Sequence, residues 1–372
     1  MLQFLFISLS AVFVFIAHYF VYSFLLRFFS VSSFSGKLTI AIVLTFLFIG
    51  TAMSAYVINM WDNAYTRISY VTFASWMGIL VNIVLIAIFI YLLKAVLDLL
   101  QLEMSIMFFR IVFLSLVVML SSLGFYQAFS IKVTNYEVDI IDLPDSWDGN
   151  NIVHISDVHL GPVYREKFLN KVVRQINNQK PEAVFISGDF FDGMEADFSW
   201  LSKPLDEIRA HKGVFYGFGN HDLYLGFDYV VELLGDKNLT VLDNKMVEVD
   251  GLQIIGVNYS FNNDFNLEKE IIEQAGYDVN KPSILIFHAP LNIDYAKSAG
   301  IDLQLSGHTH NGQLFPFNFL AKWAHKGYGY GLFREEGYNL VVSSGVGTWG
   351  PPMRTSGRAE IVNIKLNKIN SN

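Results

Sequence analysis

The residues best suited to chemistry stand in short clusters, each behind an apolar run. Asp157-Val158-His159 follows Ile152–Ile155, which reads as a buried strand. A strand turns successive side chains to opposite faces, so if the extended geometry continues past Ser156, Asp157 and His159 point the same way. A carboxylate and an imidazole aimed at one point suit a divalent cation. One such pair arises easily by chance. Four further segments share the signature: Gly188-Asp189, Gly219-Asn220-His221-Asp222, His288 behind Ile284–Phe287, and Gly307-His308-Thr309-His310. Glycine precedes the ligand in three of them, which permits tight turns. The donors are carboxylate, amide oxygen and imidazole, a set that suits Mn²⁺, Fe, Zn²⁺ or Mg²⁺. Together they are too many for one catalytic ion. They fit two ions that share a bridging carboxylate.

The elements that must position these groups alternate. Ile131–Ile140 has the pattern of a half-exposed strand. Strands are expected at Asn151–Ser156, Glu182–Ser187 and Gly213–Phe218, with helices at Arg165–Asn178, Lys203–His211 and Asp228–Leu234. Thr240–Leu242, Met246–Val249 and Gln253–Val257 read as a meander turning at Asp243-Asn244 and Asp250-Gly251. A helix is expected at Glu268–Ala275. Strands at Ser283–Phe287 and Asp302–Leu305 flank a short helix at Asn292–Ala299, and Leu340–Ser343 and Glu360–Leu366 end the chain as strands. Such alternation predicts an α/β domain with mixed sheets. Open α/β sheets bind ligands beyond the carboxyl ends of their strands, so all five clusters open onto one edge.

The first third differs in kind. Of the 372 residues, 52% are hydrophobic and only 16% charged, and the apolar excess is concentrated before residue 130. Runs at Leu2–Leu26, Leu38–Met60, Val71–Leu93 and Met107–Phe129 are each long enough to span a bilayer and show almost no polar face. Met1-Leu2-Gln3-Phe4 lacks the basic start of a signal peptide, and more spans follow. The division expected is a transmembrane region of about four helices at 1–130 and a catalytic domain at 131–372. Arg27, Lys37 and Lys94 lie in the first and third loops, against Arg67 alone in the second. The positive-inside rule therefore puts the catalytic domain of this multi-pass cell-membrane protein on the non-cytoplasmic face. Among the span residues, His18 and Asn82 read as helix–helix contacts and Arg110 as a snorkelling end residue. A formal net charge of −8 without a basic cluster argues against nucleic acid as a partner, and no protein partner is inferred. The chain has no cysteine, which excludes disulfides, thiol catalysis and Cys-ligated zinc.

In order, D-x-H, G-D, G-N-H-D, a lone His and G-H-x-H, the chain resembles the calcineurin-like metallophosphoesterases from about Ile131 to Leu366. Gly307–Gln313 and the segment Ser344–Gly347 with Pro352-Met353-Arg354 resemble the membrane-associated branch of that family. Asn311 and Arg358 depart from its pattern, and neither is a metal position. The resemblance implies two mixed β-sheets packed face to face and flanked by helices. It implies that Asp157, His159, Asp189 and His310 hold one divalent ion, and that Asp189, Asn220, His288 and His308 hold a second, with Asp189 bridging. Two such cations activate a bridging water and clamp a phosphate, so the nucleophile is a hydroxide and no Ser or Cys is required. His221, beside Asn220, is expected to serve the leaving oxygen as general acid. Asp222 is expected to fix its tautomer and raise its pKa. The expected activity is hydrolysis of a phosphodiester or pyrophosphate by a membrane-anchored enzyme, with lipid-linked esters favoured by the tether. The alternatives are a phosphatase for soluble monoesters or nucleotides, and a non-catalytic metal-binding receptor or scaffold.

Other signals are set aside. Gly345–Gly350 matches G-x-G-x-x-G, but Pro351 and Pro352 deny it the helix a dinucleotide site needs, so it reads as a loop near the site. Arg354 in that loop is expected to contact phosphate or to form a surface ion pair. His154 reads as a packed core residue. The aromatic run Phe315–Phe319, with Trp323 and Tyr328, either packs or borders a lipid-facing cleft, and packing is the favoured reading.

Overall fold

The computed structural model describes residues 2–194, 196–235, 237–260, 276–335 and 337–370. The helix expected at Glu268–Ala275 lies outside the described residues. By internal packing the chain forms two compact units, residues 1–126 with 350–353, and residues 127–349 with 354–372.

The first unit is helical: α1 (Leu2–Phe28), α2 (Phe34–Met60), α3 (Ala64–Leu99) and α4 (Ile106–Phe129). Each is long and apolar enough to cross a membrane. Ser33 and Asn63 cap α2 and α3 by accepting N–H bonds of the first turn. His18, Asn82 and Arg110 each have hydrogen-bond partners. Trp76 Nε1 donates to His18 Nε2 at 3.0 Å and Asn82 Nδ2 to Ser121 Oγ at 3.1 Å. Arg110 donates twice to the Phe28 carbonyl, at 3.0 and 2.9 Å, and so satisfies an open end of α1 rather than merely reaching for water.

The second unit is built from two six-stranded sheets. The first contains, in spatial order, β1 (Lys132–Ile141), β12 (Glu360–Ile369), β2 (Asn151–Ile155), β3 (Ala183–Ser187), β4 (Val214–Gly217) and β5 (Thr240–Val241). From β2 to β5 all pairs are parallel, while β12 runs antiparallel to β2. The second contains β10 (Gly331–Glu335), β11 (Tyr338–Val342), β9 (Leu303–Ser306), β8 (Ser283–Phe287), β7 (Leu252–Val257) and β6 (Lys245–Val249). Its four central strands are parallel and both edge strands antiparallel. The strands read as continuous apolar runs because both sheet faces are covered. Phe185, Phe215 and Ile364 of one sheet and Ile254, Ile286 and Leu305 of the other share one buried cluster. On the outer face of the first sheet lies α5 (Glu166–Asn178), which buries Phe168, Leu169, Val172, Val173 and Ile176 at helical spacing. Ile293 and Ala296 of α9 (Ile293–Ser298) cover the second. This is the expected layout: four long apolar helices, then two mixed sheets with flanking helices.

Two expectations fail here. Thr240–Leu242 is not part of a meander, since β5 pairs in parallel with β4 in the first sheet while β6 and β7 form a hairpin in the second. Asp243-Asn244 is where the chain changes sheet, and the Asp250-Gly251 turn closes the hairpin with both residues at positive φ, 47° and 83°. The helix expected at Lys203–His211 is one short turn, α6 (Ser202–Asp206). Three elements had no clear periodic signal: α7 (Asn220–Leu225), α10 (Phe317–Ala324) and β10. α8 (Phe227–Gly235) follows α7 after Gly226 alone.

Candidate metal centre

Five strands, three from the first sheet and two from the second, end at one edge. β2 leads to Asp157 and His159, β3 to Asp189, β4 to Asn220, β8 to His288, and β9 to His308 and His310. Asp157, His159 and His310 offer donor atoms that all lie within 4.8 Å of one another, and so do Asp189, His288 and His308. Asp189 stands between the two groups. Its Oδ2 is 3.0 Å from His288 Nε2 and 4.0 Å from His159 Nε2, while Oδ1 accepts from the His221 N–H at 2.7 Å.

The backbone achieves this differently from the expected pleat. β2 stops at Ile155, and Asp157 and His159 both have φ of 51°. Asp189, His308 and His310 are also left-handed, at 51°, 69° and 49°. Non-glycine residues seldom adopt this region, although Asp, Asn and His tolerate it better than most. Two left-handed turns, not extended geometry, bring Asp157 and His159 together. The N–H groups so freed are satisfied across the site: Asp157 donates to Gly188 O at 3.0 Å and His159 to Asp189 O at 3.1 Å. Close approach explains the glycines. A Cβ on Gly219 would lie 2.2 Å from Asp189 Oδ1, and one on Gly307 would lie 2.2 Å from Asp157 Oδ2.

The imidazoles are oriented by their second nitrogens. His288 Nδ1 donates to the Ser187 carbonyl at 2.7 Å, which leaves Nε2 as the atom that faces the cluster. His159 Nδ1 bonds Asp192 Oδ1 at 3.1 Å and turns Nε2 inward. His308 presents Nδ1, 3.2 Å from His288 Nε2. Burial pushes His308 down to about 3 and holds His310 well below the usual histidine range, which favours the neutral form that metal ligation requires. Burial alone would also lower His288, but the Asp189 carboxylate outweighs it and lifts the ring to about 9. Around Asp189 the protein favours positive charge.

Asn220 supplies the fit test for a cation. Its Oδ1 is buried and has no hydrogen-bond partner in the protein. A buried amide oxygen without a donor is costly, and a divalent ion satisfies it. With two carboxylates and four imidazoles in the two clusters, the donor set matches hard-to-borderline divalent ions.

The expected partnership of His221 with Asp222 is not made. Asp222 Oδ2 accepts from the N–H groups of Asp189 and Gly219, both at 2.8 Å, and Oδ1 from that of Phe191 at 3.1 Å. Three backbone donors occupy the carboxylate, so it cannot orient the ring. His221 Nδ1 instead meets the Asp192 carbonyl at 2.9 Å, and burial lowers rather than raises its pKa. Asp192 thus serves both histidines and was missed in the sequence. The only available hint was its place three residues after Asp189, behind the same strand.

Arg354 is also corrected. It is fully buried, which rules out the surface ion pair, and it donates to the carbonyls of Ser344 at 2.7 Å, Gly345 at 3.1 Å and Gly347. The loop it gathers returns two bonds to the site, from Val346 N to Ser156 O at 3.0 Å and from Gly347 N to Asp157 O at 2.7 Å. His154 is a buried core residue, bonded through Nε2 to Ser187 Oγ at 2.7 Å and held neutral by burial, which pushes it down to about 3.

Two layers of mixed sheet with clustered carboxylates and imidazoles at one edge fit the metallophosphoesterase class. The sequence comparisons agree: the calcineurin-like phosphoesterase family model matches residues 151–312. An uncharacterized metallophosphoesterase of Campylobacter jejuni is 34% identical over 263 residues, covering 69% of this chain and 70% of that protein. One from Helicobacter pylori is 34% identical over 253 residues, covering 65% of this chain and 66% of that protein. A zebrafish (Danio rerio) transmembrane protein with metallophosphoesterase domain is 32% identical over 257 residues, covering 63% of this chain and 57% of that protein. The chain belongs to the calcineurin-like metallophosphoesterases, a family that uses divalent metals.

Proposed function

We propose that this chain is a membrane-anchored, two-metal phosphoesterase that hydrolyses a phosphodiester or pyrophosphate, with lipid-linked esters as its substrates. The observation that carries this reading is the position of Asp189 between two donor clusters, beside the partnerless Asn220 Oδ1. We assign Asp157, His159, Asp189 and His310 to one ion and Asp189, Asn220, His288 and His308 to the other. When bound, such a pair of ions supplies Lewis acidity and an activated water.

The chain's own residues do the rest. Asp192 and the Ser187 carbonyl hold protons on His159 Nδ1 and His288 Nδ1, which keeps the inward nitrogens available as ligands. The Asp192 carbonyl likewise keeps a proton on His221 Nδ1, so Nε2 is the atom that faces proton exchange with a leaving oxygen. Asp222 braces the turns that carry Asp189 and Asn220 by gathering their N–H groups.

Lipid-linked esters are favoured because the catalytic unit follows an apolar helix so closely: α4 ends at Phe129 and β1 begins at Lys132. The loop charges favour the non-cytoplasmic side, and protease accessibility on sealed cells tests that. The activity test is turnover of an aryl phosphodiester and an aryl phosphomonoester by the full chain with Mn²⁺, before and after chelation. Metal-dependent hydrolysis of the diester supports the proposal. No metal-dependent turnover of either substrate favours a receptor or scaffold.

A further inference from the structure

A short helix beside the metal centre has its apolar face turned to solvent. α10 (Phe317–Ala324) buries none of its residues. Phe319 is 63% exposed, Leu320 57% and Trp323 78%. Phe315, just ahead of the helix, is 48% exposed. The favoured packing reading of this segment therefore fails for Phe319 and Trp323; Tyr328 packs edge-on to Phe333, and Phe315 and Phe319 meet each other edge-on. Lys322 and Lys326 lie among these groups. The mixture of Trp, Phe and Leu with Lys on one short helix is that of an element lying in a membrane interface, where rings enter the acyl boundary and ammonium groups meet anionic headgroups.

The placement is fixed. The helix follows the turn that carries His310, and Gly312 is so close to it that a Cβ there would lie 2.2 Å from Asn318 N. Phe315 N–H donates to Thr355 Oγ1 at 2.9 Å. Gln313 pins Trp349 from both sides, donating to its carbonyl at 3.0 Å and accepting its N–H at 2.9 Å. Trp349 is itself 53% exposed, and its ring lies 5.8 Å from that of His221. At the far end of α10, the His325 ring lies 5.9 Å from that of His308. The exposed aromatic rim thus runs along the mouth of the candidate site, in a chain whose other unit consists of four membrane-length helices.

We propose that α10, with Phe315 and Trp349, docks on the surface of an anionic lipid bilayer and holds the mouth of the metal centre against the headgroup layer. The docking deepens the lipid-substrate reading and rests on it only for its purpose; the docking itself needs neither metal nor turnover. A substrate presented there is a phosphate ester in the headgroup region, reached without leaving the membrane.

The chain's lack of cysteine makes the test direct. An environment-sensitive fluorophore is attached to L320C in the full chain, reconstituted in nanodiscs of phosphatidylcholine and phosphatidylglycerol. N280C serves as control, because Asn280 is exposed in the loop before β8, at the opposite strand ends from the ligands. The expected result is a blue-shifted L320C signal that dibrominated lipids quench several-fold more than the N280C signal. The double substitution F319S/W323S, on exposed positions, is expected to abolish that quenching while leaving hydrolysis of a soluble aryl ester within about twofold. Quenching at L320C no greater than at N280C overturns the proposal. A blue shift without lipid quenching also overturns it, and marks the face as a contact with another protein copy. Failure of the catalytic proposal would appear separately, as quenching without metal-dependent turnover.

Discussion

His159 and His310 arrive from different sheets, yet their Nε2 atoms stand 3.0 Å apart with the rings stacked at 29°. Either ring can donate to the other when its proton sits on Nε2, and with both Nε2 atoms unprotonated the two lone pairs converge as one cation requires. Asp157 Oδ1 lies 3.3 Å from the same His310 nitrogen. The site proposed for the first metal is therefore a junction between the two sheets.

Removing ligands from one cluster or from the bridge should differ in stoichiometry. His310→Ala is expected to reduce bound metal from about two ions per chain to about one, and Asp189→Ala to well below one. Elemental analysis of the purified protein gives the count. Equal metal loss in both variants would contradict the bridging assignment.

His221 and Asp222 are neighbours with separable roles. His221→Ala should keep its metal and lose turnover about 10²–10⁴-fold. Asp222→Ala leaves the N–H groups of Asp189, Phe191 and Gly219 without their acceptor, so it should lower stability by about 1–3 kcal/mol or more and reduce metal content as the turns relax. Thermal unfolding beside metal analysis separates the two. A fully metallated, equally stable Asp222→Ala would refute the bracing role.

Arg354 is predicted to act through the loop it holds. Arg354→Met strips the carbonyls of Ser344, Gly345 and Gly347 of a buried donor and should destabilise the second unit by about 1–3 kcal/mol or more. Lys cannot reproduce the forked geometry and should rescue little. Urea unfolding in detergent reads both variants.

Asp302 gives a pH prediction away from the metals. Burial raises its carboxyl to about 6, against the opposing pull of the Ser283 N–H and hydroxyl. Between about pH 4 and 6 the folded state holds a proton that the unfolded chain has released, so stability falls as pH rises through that window. Asp302→Asn should flatten this fall, which amounts to about 2–3 kcal/mol. Denaturant midpoints at pH 4, 5 and 6.5 report it. An unchanged slope would exclude Asp302 as its source.

Much of this was legible in the sequence because strand-end ligands sit where apolar runs stop. Asp189, His288 and His308 could each be placed from Ala183–Ser187, Ser283–Phe287 and Leu303–Ser306 alone. The four long helices were equally plain, since an uninterrupted apolar run has few other uses. What stayed hidden depends on contacts that have no period. Arg354, and Asp192 in its contact with His221, act through backbone carbonyls, which leave no mark on residue type. β5 consists of two residues, Thr240 and Val241, too short to show which sheet they join. The exposure of Phe319 and Trp323 reverses the usual rule that aromatic runs are buried, and only coordinates reveal it.

The left-handed backbone at Asp157, His159, Asp189, His308 and His310 has a consequence for anyone wishing to make this protein sturdier. Each such residue holds a conformation about 1–2 kcal/mol above what glycine would require there. A screen for thermal tolerance, blind to turnover, would therefore drift toward glycine at these positions and dismantle the centre while improving the scaffold. Selection on robustness and selection on catalysis pull in opposite directions at the same five codons.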